Sequence, residues 1–368
     1  MRESDYIGEA IGACPIYEPG RPIEEVAREQ GLRPEEVVKL ASNENPLGPS
    51  PKAIEAIRES VSRLHDYPDG GAWHLRRRLA DELELSPDQI LPANGSNEAL
   101  EMLATAYLAP GLNAVMGQYG FVVYRLATLH ARAEVREAPM PDLTHDLDAF
   151  RERIDQNTRI VFLARPNNPT GDCVDAGELL EFVRCLPEHV LFCLDEAYGE
   201  YLEKPPDLRP LIREGRRVVC TRTFSKIHGL AGLRIGYAYG PAEIIGSLQR
   251  VRQPFNVSTL AQQAAIAALD DPSHRKETIE LNRKSLSRLG DGLAALDVPV
   301  RTGEGNFLIA EVGTARACFT SLLASGVIVR PLDGYGLPRW IRVSTGTLEQ
   351  TGIFLSAFEK WWRKSGNV

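Results

Sequence analysis

The sequence predicts an α/β fold: a large domain with a mostly parallel central sheet flanked by helices, a smaller α+β C-terminal domain and an N-terminal arm. Three observations carry this. Four short, almost continuously apolar runs, at 160–164, 190–194, 218–221 and 235–239, suit strands buried on both faces of a parallel sheet, with helices between them. Asn167, Asn168, Asp195, Ser225 and Lys226 each fall just after one of these runs, and ligands of open α/β sheets bind beyond the carboxyl ends of the strands. From Asn306 onward the pattern changes to an alternating strand at 306–310 and two more at 326–330 and 340–344, joined by a Gly/Pro loop.

Up to about Leu40 the chain is rich in Pro and Glu, with one amphipathic stretch around Ile23 to Gln30. Ala41-Ser42-Asn43-Glu44-Asn45-Pro46-Leu47-Gly48-Pro49 is a turn-forming cluster, and Ser50-Pro51 after it has the N-cap and N1 signature of a helix. Ile54, Ile57, Val61 and Leu64 continue at helical spacing. A second helix is expected from Trp73 to about Leu85, and a third from Ser96, with Leu100, Leu103 and Tyr107 on one face. After Arg252-Gln253-Pro254-Phe255-Asn256, one helical region is expected from 259 to about 296. The expected boundaries are 1–45 for an arm packing with the small domain, 46–256 for the large domain and 257–368 for the small domain.

A chain of 368 residues can bury a sizeable site. A net charge of -8 and a pI of about 5.5 supply no clustered positive charge for nucleic acid, so none is expected as a partner. The six cysteines (Cys14, Cys173, Cys185, Cys193, Cys220 and Cys318) lack C-x-x-C spacing and read as small hydrophobes in a reducing compartment, with no metal site expected. Met1-Arg2-Glu3-Ser4-Asp5 leads into no apolar core of signal-peptide length, and no apolar run reaches the roughly 20 residues of a membrane span. The expectation is a cytoplasmic protein without a membrane partner.

The strongest motif is Thr223-Phe224-Ser225-Lys226-Ile227-His228-Gly229-Leu230-Ala231-Gly232-Leu233-Arg234, which places an amine, a hydroxyl and a guanidinium within reach of one phosphorylated cofactor. A lysine attacks a carbonyl only when part of it is neutral near pH 7, which calls for desolvation or a nearby cation such as Arg234. Pyridoxal phosphate needs a lysine to hold it, a carboxylate beside its ring nitrogen, donors to its phenolic oxygen, anion contacts for its phosphate and a flat partner for its ring. Asp195 is the candidate carboxylate, and Tyr198 and Asn168 are candidate donors. Gly95-Ser96-Asn97-Glu98 opens a helix whose free amides favour a phosphate, assisted by Ser225 and Arg234. Tyr119 is the candidate stacking ring. Taken singly, these parts read as a strand-end turn, an N-cap and a loop; their joint occurrence in this order does not.

These motifs identify the chain as similar to the class II aminotransferases of the fold-type I pyridoxal-phosphate enzymes, and most closely to the histidinol-phosphate aminotransferases. The resemblance runs over nearly the whole length. It includes the 40–48 segment, Tyr67-Pro68-Asp69-Gly70, Asn94-Gly95-Ser96-Asn97-Glu98, Pro166-Asn167-Asn168-Pro169-Thr170-Gly171, Asp195-Glu196-Ala197-Tyr198, the lysine motif, and Val327-Ile328-Val329-Arg330-Pro331 with Gly334-Tyr335-Gly336-Leu337-Pro338. It implies transamination between L-histidinol phosphate and 2-oxoglutarate, giving imidazole acetol phosphate and L-glutamate, in histidine biosynthesis. Lys226 would hold the cofactor and move the proton, with Asp195 and Tyr198 beside it in catalysis. Arg342 would grip the substrate α-carboxylate, where a planar two-pronged donor orients better than a lysine. Arg330 and Tyr17 would lie near the substrate phosphate and side chain, with Asn256 a further candidate. Tyr67 would reach the cofactor phosphate of a neighbouring subunit, which implies a homodimer with shared sites. An aromatic amino-acid aminotransferase and a phospho-amino-acid decarboxylase are the alternatives.

Arg165 stands where the family often has Asn, His228 where Tyr is common, Gly117-Gln118 where Pro and Thr or Ser are frequent, and Phe255 lacks a hydroxyl some relatives present. These departures bear on substrate preference and leave the lysine, aspartate and arginine core intact. His65, His74, His130, His145, His189 and His274 show no metal-like grouping and read as surface or packing residues.

Overall fold

A computed structural model describes residues 8–12, 14, 16 and 19–366. The chain divides into two compact units. The larger holds Pro49–Asn168 and Asp172–Pro272 with the described residues up to Ile16; the smaller holds the described part of 17–48, Pro169–Gly171 and Ser273–Val368 up to residue 366.

Among the described residues the larger unit is built on a seven-stranded sheet in the order Ile90–Ala93, Gly236–Tyr239, Val218–Thr223, Leu191–Asp195, Thr158–Ala164, Asn113–Gly117 and Glu134–Ala138. Gly236–Tyr239 runs antiparallel to both its neighbours and the remaining pairings are parallel. Alternate residues of each strand feed separate cores. Val161, Leu163, Phe192 and Leu194 pack on one face, while Ile160, Phe162, Leu191 and Cys193 pack on the other. This two-sided burial is why the central runs are apolar without alternation.

Three strands fall outside the four apolar runs. Ile90–Ala93 contains a proline and Asn113–Gly117 is short and ends in glycine, while Glu134–Ala138 is a partly exposed edge strand carrying three charges. The helical region expected from 259 to about 296 is two helices, Thr259–Leu269 and Pro272–Ala294. Pro272 supplies no amide to the preceding turn and forces the break. The helix Pro51–Ser60 starts as expected, with the Ser50 hydroxyl accepting from the Ala53 amide at 3.1 Å.

The smaller unit has a four-stranded antiparallel sheet in the order Arg330–Leu332, Leu337–Ser344, Phe307–Glu311 and Val300–Thr302. Val38–Lys39 pairs in parallel with Val327–Ile328, so the 38–45 segment is part of this unit. Among the described residues no helix is long and apolar enough to cross a membrane.

Candidate active site

Strand register lines up the predicted residues along one edge of the large sheet. Gly236 is opposite Ala93 on one side and Thr223 on the other. Thr221 is level with Asp195, and Asp195 with Ala164. The helix start at Ser96, Arg234, Ser225 with Lys226, Asp195, and Asn167 with Asn168 therefore follow one another across adjacent strand ends.

The anion-binding end of this row is closely packed. Gly95 has φ 80°, and a Cβ there would meet Arg234 Nη2 at 2.6 Å; a Cβ on Gly236 would meet the Ser96 amide nitrogen at 2.6 Å. Glycine at both positions lets the guanidinium and the strand backbone close on the start of the helix Ser96–Tyr107. No side chain caps this helix at Gly95, so its first amides and positive dipole end remain as donors beside Arg234. Ser96 is buried and Asn97 half-buried. The Ser225 hydroxyl accepts from Thr223 Oγ1 at 2.9 Å, which leaves its own hydrogen to donate.

Lys226 is half-buried in a tight turn closed by the Gly229 amide on the Lys226 carbonyl, and its Nζ lies 5.8 Å from the centroid of the buried Tyr198 ring. His228, two residues on, bonds Glu200 at 3.1 Å, tying the lysine turn to the segment after Tyr198. Asn168 is buried; Asn167 donates to the Tyr119 carbonyl at 3.0 Å and Tyr119 is half-buried beyond the strand Asn113–Gly117.

Asp195 is 4% exposed and accepts from the Tyr124 hydroxyl at 2.8 Å and the Ala197 amide at 2.9 Å. Burial raises its pKa, and those two bonds pull it partly back. A carboxylate so placed suits a protonated ring nitrogen, and the glycine-lined cup with Arg234 suits a phosphate. The donor set thus fits pyridoxal phosphate.

Two further placements concern the predicted periphery. Tyr67 is 81% exposed and stacks on Phe255 with centroids 4.6 Å apart. Both ends of the Asn256 amide are engaged, by Arg252, Glu98 and the Pro92 carbonyl, in bracing the start of the Ser96–Tyr107 helix. In the smaller unit, Arg330 and Arg342 are directly opposed across antiparallel strands, and Arg342 Nη2 donates to the Ala41 carbonyl at 2.7 Å. Like charges in a cross-strand pair are unfavourable, and an anion between them reverses the sign. Tyr17 lies outside the described residues.

Tyr124 was not among the expected site residues, and neither was the neighbouring group in which buried Glu196 accepts from half-buried Arg222 at 2.9 Å and Tyr239 at 2.6 Å. Tyr124 sits in the helix Val122–His130 and meets Asp195 across 71 positions of sequence. Its spacing from Tyr119 is the sole local hint.

The family model described as "Aminotransferase class I and II" matches residues 35–358. The chain is 45% identical to the histidinol-phosphate aminotransferase of Akkermansia muciniphila, covering 90% of this chain and 92% of that one. It is 46% identical to histidinol-phosphate aminotransferase 2 of Methylococcus capsulatus, covering 94% and 95%. Its fold is similar to the crystal structure of histidinol-phosphate aminotransferase from Sinorhizobium meliloti in complex with pyridoxal-5'-phosphate, with a TM-score of 0.88, 27% identity and 98% of each chain covered. The chain belongs to the class I and II aminotransferase family and is a pyridoxal-phosphate-dependent aminotransferase.

Proposed function

We propose that the chain transfers the amino group between L-histidinol phosphate and 2-oxoglutarate, forming imidazole acetol phosphate and L-glutamate, in histidine biosynthesis. The row of Ser96, Arg234, Lys226, Asp195 and Asn168 across adjacent strand ends carries the chemistry. The relatives at 45–46% identity over nine-tenths of the chain carry the substrate.

Pyridoxal phosphate, when bound, supplies a ring that accepts the electrons left at the substrate α-carbon. Lys226 would hold it, and its Nζ, in the neutral form, would move the proton at the substrate α-carbon. Asp195 would keep the ring nitrogen protonated, Tyr198 and Asn168 would hydrogen-bond the phenolic oxygen, and Tyr119 would lie against the ring. The Ser96–Asn97 helix start, Ser225 and Arg234 would take the phosphate, with Tyr67 of the partner subunit completing the site in a homodimer. The exposed Tyr67–Phe255 stack supports that last reading.

Arg342 and Arg330 would serve the substrate anion, with Tyr17 a further candidate; Asn256 is taken up by the helix start instead. L-histidinol phosphate has no α-carboxylate. Its phosphate ester and the α-carboxylate of glutamate must therefore be met by one cation pair, and two opposed arginines suit a dianion as well as a monoanion. We assign the cofactor domain to the larger unit and the small domain to the smaller one, in a cytoplasmic enzyme; 257–272, expected in the small domain, belongs to the cofactor domain because Val257, Ala261, Ala264 and Ala268 pack into its core.

Single-turnover mixing of the cofactor-loaded protein with amino donors tests this through the visible cofactor band. Histidinol phosphate and glutamate should both convert the band, and phenylalanine, which offers the arginine pair a carboxylate but has neither a phosphate ester nor a second carboxylate, should do so at least about a hundredfold more slowly. Equal rates with phenylalanine, or release of carbon dioxide without a keto acid, would point to the aromatic or decarboxylase reading.

A further inference from the structure

The larger unit buries a second polar pair that the proposed chemistry does not use. His145 Nδ1 lies 2.6 Å from Asp172 Oδ2, and the same oxygen accepts the His145 amide at 2.9 Å. Their side chains are 1% and 9% exposed. Ionisable groups withdrawn this far from water are costly to keep, and replacing both by apolar residues is often neutral or better for stability alone.

Two paths lead from this pair to the turn carrying Tyr119. Along the first, a Cβ on Gly117 would sit 3.1 Å from both Cδ2 and Nε2 of His145 and 2.7 Å from Met140 Sδ, so the turn is seated against ring and thioether at a distance only glycine permits. The same sulfur accepts the Tyr119 amide at 3.4 Å. Along the second, the Asp172 carbonyl accepts the Asn167 amide at 2.7 Å, and Asn167 Nδ2 donates to the Tyr119 carbonyl at 3.0 Å. Both backbone polar groups of Tyr119 are thus held, one by the thioether that shares the Gly117 contact with His145, the other by the residue bonded to Asp172.

We propose that the buried His145–Asp172 pair is the positioning device of Tyr119, fixing how its ring lies against the cofactor; this rests on Tyr119 as the stacking residue of the proposed function. An aromatic contact depends on the offset and separation of its rings, so a shift of the supporting turn weakens it without removing an atom of the contact.

The test is a double-mutant cycle on the dissociation constant of pyridoxal phosphate for the apoprotein, with His145→Leu, Tyr119→Ala and the two together. His145→Leu should weaken the cofactor about tenfold in the native background and less than about twofold with Tyr119→Ala, since the two act through one contact. It should also diminish the visible circular dichroism of the bound cofactor. Asp172→Asn, whose amide oxygen still accepts from His145, should stay within about twofold of the native affinity. Should His145→Leu fail to fold, Gly117→Ala displaces the ring with the pair intact and enters the same cycle with the same expectation. An additive cycle overturns the inference alone, whereas a native chain that binds no pyridoxal phosphate overturns it together with the proposed function.

Discussion

Asp195 and Glu196 are adjacent, both almost wholly buried, and they meet opposite surroundings. Glu196 faces the Arg222 guanidinium and the Tyr239 hydroxyl, so its charge is balanced within the chain. Burial works against the Arg222 charge, yet Glu196 and Tyr239 carry its pKa above the ordinary value. Asp195 is held by two neutral donors, Tyr124 and the Ala197 amide, and burial leaves its pKa raised. The difference separates a structural charge from a functional one. A buried carboxylate with a resident cation is complete, whereas one given only neutral donors is stabilised fully when a ligand brings the cation.

Asp195→Asn is the largest expected break in this comparison. Activity should fall by about three orders of magnitude, near 4 kcal/mol of transition-state stabilisation, because a neutral amide no longer favours a protonated ring nitrogen. The unfolding midpoint of the apoprotein should hold or rise, since a buried charge without a resident cation has been removed. A large loss of apoprotein stability would erase the distinction between the two residues. Glu196→Gln should do the reverse. Leaving the half-buried Arg222 beside a neutral amide is expected to cost about 2 kcal/mol in denaturant unfolding, while the folded fraction still binds the cofactor.

The contrast also shows what could be read from sequence. Lys226, Asp195 and Asn168 were legible because each follows a run apolar enough to declare a strand, and a polar residue there has few structural excuses. The strands Ile90–Ala93, Asn113–Gly117 and Glu134–Ala138 were not, since proline, small residues and an exposed charged edge remove the apolar signature. Partners were less legible still. Tyr124 is 71 residues from Asp195, Arg222 is 26 from Glu196 and Asp172 is 27 from His145. Only strand order and register bring such pairs together, and neither is written in local spacing. His145 read as a packing residue because its carboxylate partner lies in another loop.

Tyr124→Phe sharpens the comparison with the smallest effect. The Tyr124 hydroxyl stabilises the charged form of Asp195, so its loss raises the Asp195 pKa further. An acid whose folded pKa exceeds its unfolded value of about 3.9 binds more protons when native, and its stabilising contribution is present below that value and lost as pH rises through the folded pKa. Apoprotein stability should therefore decline with rising pH above about 4 in the native chain, and the decline should extend to higher pH in Tyr124→Phe, by about 1 kcal/mol at its largest. Urea midpoints of the two apoproteins at matched pH measure this, with Glu196→Gln as the comparison whose pH slope should not steepen in the same window. With cofactor bound, a cation opposite Asp195 favours its charged form and the slope should flatten in both. Parallel apoprotein slopes for native and Tyr124→Phe chains would mean that the hydroxyl positions the ring of Tyr124 against Phe162, 5.1 Å away, instead of tuning the carboxylate.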